Sequence, residues 1–216
     1  MLMIAAPLVG AALAALPLPM RVSWAAAVLA ALAAAYAGAD LAVRMLLAGA
    51  PPSLYGEGVA LTTDGFAPFT AALISGVGAL ALIASGDLAK ALSPRAAPLA
   101  FALALCVIGG WSGALLARDL FGFAVSVEIG WLAGVALAAL AGDKDRMAIN
   151  GAFRMLAAGG VGAAFLLVGV GLVGRAIGSW HLDALEDVRI AAPGLASAGV
   201  ALIVAALAIK AGVAPL

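Results

Sequence analysis

Charged residues are scarce in this sequence: lysine, arginine, aspartate and glutamate together make up 10% of its 216 residues. A soluble domain carries about 25% charged residues. Hydrophobic residues account for 66% of the chain, and its mean hydropathy is +1.21. No water-soluble fold of this size can hide so much apolar surface, so lipid is the expected solvent for most of the chain. The formal net charge is zero, which argues against nucleic acid as a partner.

Cysteine and histidine occur once each, which excludes several kinds of chemistry. Cys106 has no partner for an intrachain disulfide or a metal site, and an iron–sulfur cluster needs several thiolates. It lies in an apolar run and is predicted to serve only in packing. His181, beside Trp180, is predicted to anchor the chain at the membrane surface rather than to act as a ligand or proton shuttle. No phosphate-binding loop and no nucleophile with a base is present. The sequence therefore predicts no cofactor and no catalytic residue, and leaves open whether the chain is a subunit of an enzyme.

Long apolar runs are abundant and contain many of the 27 glycines, which let transmembrane helices approach closely. A spanning helix needs about 20 apolar residues. The first run lacks the basic start of a signal peptide, so it is predicted to be a membrane helix. The sequence predicts an all-α, polytopic transmembrane bundle of about seven helices, with runs near residues 2–20, 22–42, 64–85, 97–117, 120–141, 150–174 and 194–216.

The chain divides into residues 1–60, which hold helices 1 and 2, and residues 61–216, which hold helices 3 to 7 and the candidate ion path. Residues 175–193 are predicted to form a short amphipathic stretch at the surface. A slight excess of lysine and arginine in alternate loops predicts that the N-terminus lies outside. The cytoplasmic loops would then hold Arg21, Lys90, Arg95, Lys144 and Arg146.

Three ionisable residues fall inside the apolar runs: Glu128, Arg154 and Lys210. A charge at membrane depth is costly, so each is a functional hypothesis by default. Glu128 lies about eight residues into its run, roughly 12 Å deep. Glu128 and Lys210 are predicted to be a proton-relay pair, the alternative being a static ion pair that fixes helix register. Arg154 either tunes the local charge or extends to the headgroups.

Other polar residues are predicted to have structural roles. Asp40 and Arg44 are spaced for an i,i+4 ion pair near a helix end, and Asp64 is placed to cap the third helix. Pro215 follows Lys210 by five residues and is predicted to break the last helix. A broken helix beside a buried charge is typical of ion pathways.

These residues resemble the antiporter-like membrane subunits shared by respiratory complex I and the Mrp-type cation/proton antiporters. The likeness covers roughly residues 60 to 216 and implies the first half of an inverted-repeat antiporter-like fold. Four segments carry the likeness. Asp119 to Ile129 resembles helix 5 of the family, and Ile209 to Leu216 resembles its broken helix 7. Helix 6 is matched by Arg154 with Ala157 to Ala164 and Phe165-Leu166-Leu167, and the head of helix 3 by Asp64-Gly65-Phe66-Ala67.

The resemblance implies that Glu128 tunes Lys210, the central proton-relay lysine. Arg154 stands where the family usually has a lysine, and a guanidinium cannot give up its proton in a protein, so Arg154 is expected to tune charge only. Family members contain two inverted repeats, whereas this sequence ends in helix 7. We therefore expect a portion of a longer product, or a partner that completes the fold.

The implied partners are other integral membrane subunits in a bacterial inner membrane. The transported ions would be protons, joined by Na⁺ if the complex is an antiporter. Two assignments remain open. The helix-5 segment and Ile209-Lys210 with Pro215-Leu216 favour the D-type component of an Mrp-type antiporter. Asp64-Gly65-Phe66 favours an N/M-like proton-pumping subunit of NADH-quinone oxidoreductase. A hydrogenase-linked relative and a non-conducting scaffold are further alternatives.

Overall fold

A computed structural model describes residues 1–48, 55–56, 59–60, 66–88, 92–94, 96–140, 146–182 and 192–213. Within these residues the chain forms seven α-helices, which confirms the predicted all-helical class. They are α1 Leu2–Ala14, α2 Met20–Ala48, α3 Phe66–Leu88, α4 Ala96–Leu116, α5 Leu120–Ala139, α6 Arg146–Ile177 and α7 Pro193–Lys210. Two-residue strands, β1 Tyr55–Gly56 and β2 Val59–Ala60, pair antiparallel between α2 and α3.

Six of these helices, α2 to α7, are long and apolar enough to cross a membrane. They confirm the prediction of a multi-pass integral membrane protein. Helix α1 has 13 residues, about 20 Å at 1.5 Å per residue, and is shorter than the predicted run 2–20. The chain turns there because Pro17 and Pro19 have no backbone N–H with which to continue the helix.

The helices pack as two neighbouring groups that share α4. Helices α1 to α4 surround one buried cluster, in which alanines lie beside Phe101 and Leu105. Helices α4 to α7 surround a second cluster, which includes Val127 of α5 and Leu166 of α6. Helix α5 packs against α4 and α6, and α6 packs along α7. Helix α6 thus packs against both helices of the candidate relay pair, α5 with Glu128 and α7 with Lys210.

The turn between α4 and α5 is tied to the segment that follows α6. The Asp119 carboxylate caps α5 by accepting from the Gly122 N–H at 2.6 Å. The Leu120 N–H donates to the Trp180 carbonyl at 2.9 Å, and the Leu182 N–H donates to the Arg118 carbonyl at 2.8 Å. These bonds hold the N-terminal end of α5, the helix that carries Glu128, in place.

The remaining surface predictions have mixed outcomes. Arg44 Nε and Asp40 Oδ2 form the predicted ion pair at 2.8 Å. His181 is exposed and lies opposite Asp119 in a short antiparallel bridge, and its role as an anchor at the membrane surface stays a prediction. Four of the residues named above, Asp64, Lys90, Arg95 and Lys144, lie outside the described residues, as does part of the predicted surface stretch, 183–191.

Glycines set the distance between α6 and α7. A Cβ at Gly169 would lie 2.7 Å from the Gly199 carbonyl oxygen, and a Cβ at Gly199 would lie 2.7 Å from the Gly169 carbonyl oxygen. Both positions therefore exclude a larger residue at the observed helix separation. The close approach fixes the register of α7, and with it the position of Lys210.

We predict that Gly199→Ala destabilises the bundle by about 1–3 kcal/mol, the usual cost of overpacking, because the new methyl group meets the Gly169 carbonyl. Gly160→Ala is the matched control, since nothing lies within 4 Å of a Cβ there and alanine favours helix. Thermal unfolding in mild detergent measures both. Equal stability of the two variants would contradict the tight contact.

Candidate ion-relay site

A buried ion pair joins α5 and α7. Lys210 Nζ lies 2.9 Å from Glu128 Oε1, and the side chains are 2% and 20% exposed respectively. The approach does not have hydrogen-bond geometry, so neither atom has a hydrogen-bond partner among the described residues. The structure thus brings together the two residues predicted to form the relay, as a contact ion pair.

Trp131 forms a second side of the lysine site, which the sequence analysis missed. Lys210 Nζ lies over its ring, 5.1 Å from the ring centroid. A cation placed over a desolvated indole gains about 2 kcal/mol. Trp131 follows Glu128 by three residues, so both lie on one face of α5. That spacing is the signal that could have identified Trp131 in advance.

Gly159 of α6 provides the surface on which Trp131 rests. A Cβ at Gly159 would overlap the indole Nε1 and lie 2.7 Å from Cε2. The indole Nε1 is buried and has no hydrogen-bond partner among the described residues. Glycine at this position therefore lets the Nε1 edge of the ring approach α6 closely.

Helix α7 ends at Lys210. Gly212 adopts φ +69°, its N–H donates to the Ile209 carbonyl at 3.1 Å, and the Val213 N–H donates to the Ala208 carbonyl at 3.0 Å. This pattern is a Schellman motif, which needs a residue without a Cβ penalty at the left-handed position. The predicted break at Pro215 lies outside the described residues, and Gly212 ends the described helix.

The position of Lys210 at the end of α7 has two consequences. The Schellman bonds satisfy carbonyls that would otherwise be orphaned, as the membrane interior requires. The lysine charge also lies at the negative end of the helix dipole, which favours a cation. The first effect stabilises the backbone at the helix end, and the second stabilises a charged side chain there.

Glycines also hold α5 in place. A Cβ at Gly110 of α4 would lie 2.6 Å from the Gly130 Cα and 2.9 Å from the Ser126 carbonyl oxygen. Gly130 follows Glu128 by two residues. The backbone that carries Glu128 is therefore fixed against α4, just as Lys210 is fixed by the contact of α7 with α6.

Arg154 is exposed on α6 and is not part of the pair. Gly169 is level with Gly199, and Gly162 is level with Ala206. Continuing this antiparallel register puts Lys210 level with residue 158. Arg154 lies one further turn, about 6 Å, towards the start of α6. The structure does not bring Arg154 into contact with Glu128, and its charge-tuning role stays a prediction.

No group of three or more histidine, cysteine, aspartate or glutamate side chains occurs within the described residues that could hold a metal. The chemistry offered by this site is therefore that of one carboxylate and one ammonium beside an indole. Both charged groups can bind and release protons, and both lie inside a membrane-spanning bundle.

The described helices form a polytopic membrane bundle with a buried ion pair between α5 and α7. No family model matches the chain. Over 198 residues it is 32% identical to NADH-quinone oxidoreductase subunit N of Desulforudis audaxviator (strain MP104C), a match covering 87% of this chain and 38% of the relative.

The structure is similar to a chain of the membrane-bound sulfane sulfur reductase, an archaeal respiratory membrane complex. The TM-score is 0.79 at 25% identity, with 96% of this chain and 43% of the other covered. The chain thus spans about two fifths of the length of each relative. Together the two similarities confirm the resemblance to the antiporter-like subunits.

We predict strong coupling between Glu128 and Lys210 in a double-mutant cycle. Glu128→Gln and Lys210→Met should each destabilise the protein by about 3–5 kcal/mol, because each leaves a buried charge without its partner. The double variant should recover most of that loss, since no buried charge remains. Thermal unfolding in detergent measures the stability of the wild type, the two single variants and the double variant. Simple additivity of the two losses in stability would contradict the ion pair.

Proposed function

We propose that this chain translocates protons through the Glu128–Lys210 pair as one membrane subunit of a redox-driven respiratory complex. The observation that carries the proposal is the pair itself. It is a lysine, 2% exposed, held 2.9 Å from a carboxylate at the end of a helix within a membrane bundle. Such an arrangement is costly in lipid, and intramembrane ionisable residues typically mark ion pathways.

Lys210 can hold its proton while it is paired with Glu128 and lose it when the pair separates. In the observed state the ammonium is stabilised by Glu128 and by the ring of Trp131. An ammonium without a partner is strongly disfavoured in a low-dielectric interior. We take separation of the pair as the step at which Lys210 gives its proton to a water molecule, which becomes hydronium and carries the proton onward. Arg154 keeps its charge throughout, so it supplies a constant field about one turn away.

The relatives support the redox-driven assignment over the antiporter assignment. One is a subunit of an NADH-quinone oxidoreductase, and the other belongs to a respiratory membrane complex. Both are parts of larger assemblies, which supports other integral membrane subunits as partners of this chain. An Mrp-type cation/proton antiporter remains the alternative that the sequence pattern favoured, with Na⁺ as a second transported ion.

We predict that Lys210→Met abolishes proton transport by the reconstituted complex while the complex still assembles. Transport requires a side chain that exchanges protons, and methionine keeps the volume without the ammonium. Arg175→Gln is the matched control, because Arg175 is an exposed cation in the last turn of α6. Dye-reported proton uptake into proteoliposomes measures the rates.

The same assay separates transport from a static role. Wild-type transport in Lys210→Met, with the complex intact, would overturn the relay and favour a non-conducting scaffold. Because the methionine variant also loses the ion pair, the double variant Glu128→Gln/Lys210→Met is included. It restores charge balance, and the proposal expects it to be stable and still inactive.

The native complex, purified through this chain in mild detergent, should show bound flavin or iron–sulfur absorbance. An iron–sulfur cluster would lie on a partner chain, because this chain has a single cysteine and a cluster needs several thiolates. Their presence supports a redox-driven pump. A complex without them, containing only other small membrane subunits and exchanging Na⁺ for protons, would establish the antiporter alternative instead.

A further inference from the structure

Two buried hydroxyls lie within the group of helices α1 to α4, outside the ion-pair site. Ser75 of α3 and Ser112 of α4 are fully buried, and neither hydroxyl has a hydrogen-bond partner among the described residues. Thr70 and Ser85, on the same helix as Ser75, instead donate to carbonyls of their own helix at 2.9 and 2.8 Å. A buried hydroxyl without a partner is costly, so the two serines need a physical account.

The packing puts the two hydroxyls at one level of the bundle. One turn away from each serine, on either side, lies a residue that belongs to a buried apolar cluster. The larger cluster is the one that α1 to α4 surround, and the smaller one lies nearer the start of α1. The neighbouring cluster residues are Ala79 and Ile108 in the larger cluster and Ala71 and Leu116 in the smaller one. Both serines therefore lie between the two clusters, on the faces with which α3 and α4 meet.

Helix α1 adds an acceptor at the same level. Pro7 is fully buried and lies between Met3 of the smaller cluster and Ala11 of the larger one. Because proline has no N–H, the Met3 carbonyl lacks the donor that an unbroken helix would supply. Helix carbonyls point towards the C-terminal end, so this oxygen points from the smaller cluster towards the level of the serines.

We propose that this level holds one ordered water molecule. The Ser75 and Ser112 hydroxyls donate to the water, and the water donates to the Met3 carbonyl. Three hydrogen bonds are typical of a buried water, and this arrangement satisfies all three protein oxygens. The three groups are uncharged and combine donors with an acceptor, which suits water. The bound water ties α1, α3 and α4 together.

The water site is separate from the ion pair, although the two lie at a similar depth. A Cβ at Gly113 would lie 2.8 Å from Ser126 Oγ, so Ser112 is nearly level with Glu128 of α5. Ser126 and Gly130 face α4, and Glu128 is two residues from both, so its side chain leaves α5 on the side away from α4. The water therefore supports α4, against which α5 packs, and takes no part in proton transfer.

Thermal unfolding of the native complex, purified through this chain in mild detergent, tests the site with a double-mutant cycle. Ser75→Ala and Ser112→Ala should each lower the unfolding temperature by several degrees, because each removes a partner of the water. The double variant should fall little further than either single variant, since the two changes disrupt the same bound water. Ser85→Ala is the matched control and should leave the temperature unchanged, because the Ser85 hydroxyl bonds within its own helix.

Other outcomes of this cycle overturn the proposal. If the hydroxyls are simply unpaired, alanine removes a buried polar group and raises the unfolding temperature or leaves it unchanged. If each hydroxyl acts alone, the two losses add. A cryo-EM map that resolves ordered water should show one density about 2.8 Å from both serine oxygens, and a map without it overturns the site. Because transport is not the readout, failure here is distinguishable from failure of the Lys210 relay.

Discussion

A lysine ammonium inside a hydrocarbon layer must have a partner, and the arrangement of α4 to α7 depends on that constraint. Lys210 is almost fully buried and meets one carboxylate, Glu128, and one aromatic face, Trp131. The cost of an unpaired charge at this depth is several kcal/mol. A small displacement of α5 or α7 would therefore be expensive, which explains why both helices are held at close range by glycine contacts.

The same constraint applies to the backbone at the end of α7. A helix that ends within lipid exposes carbonyls that water cannot reach. Here Gly212 takes the left-handed conformation, and two N–H groups return to Ala208 and Ile209. The helix can therefore end beside the buried charge without orphaned groups in its last turn. A lysine at that end also lies where the helix dipole favours a cation.

Sequence alone predicted the charged residues of the site but not the residues that shape it. Glu128 and Lys210 stood out because charge is rare in such apolar runs. Trp131 was missed, and so was the contact that Gly159 makes with its ring, since both depend on which faces of α5 and α6 meet, and an alanine- and glycine-rich pattern does not determine that register. The length of α1 was overestimated, because hydropathy counts residues up to Met20 while the prolines at 17 and 19 end the helix earlier.

The packing explains how a strong ion pair is compatible with proton movement. Helix α5 packs mainly against α4 and α6, and α7 packs mainly against α6, rather than the two packing against each other. The close glycine contacts between backbones lie between α4 and α5 and between α6 and α7, so a lysine side chain that moves away from Glu128 disrupts neither of them. A flexible lysine side chain, with its stem anchored at a helix end, can move while the helices stay in place. The cost of opening is then electrostatic, and it can be offset by a change of charge nearby, without repacking of the bundle.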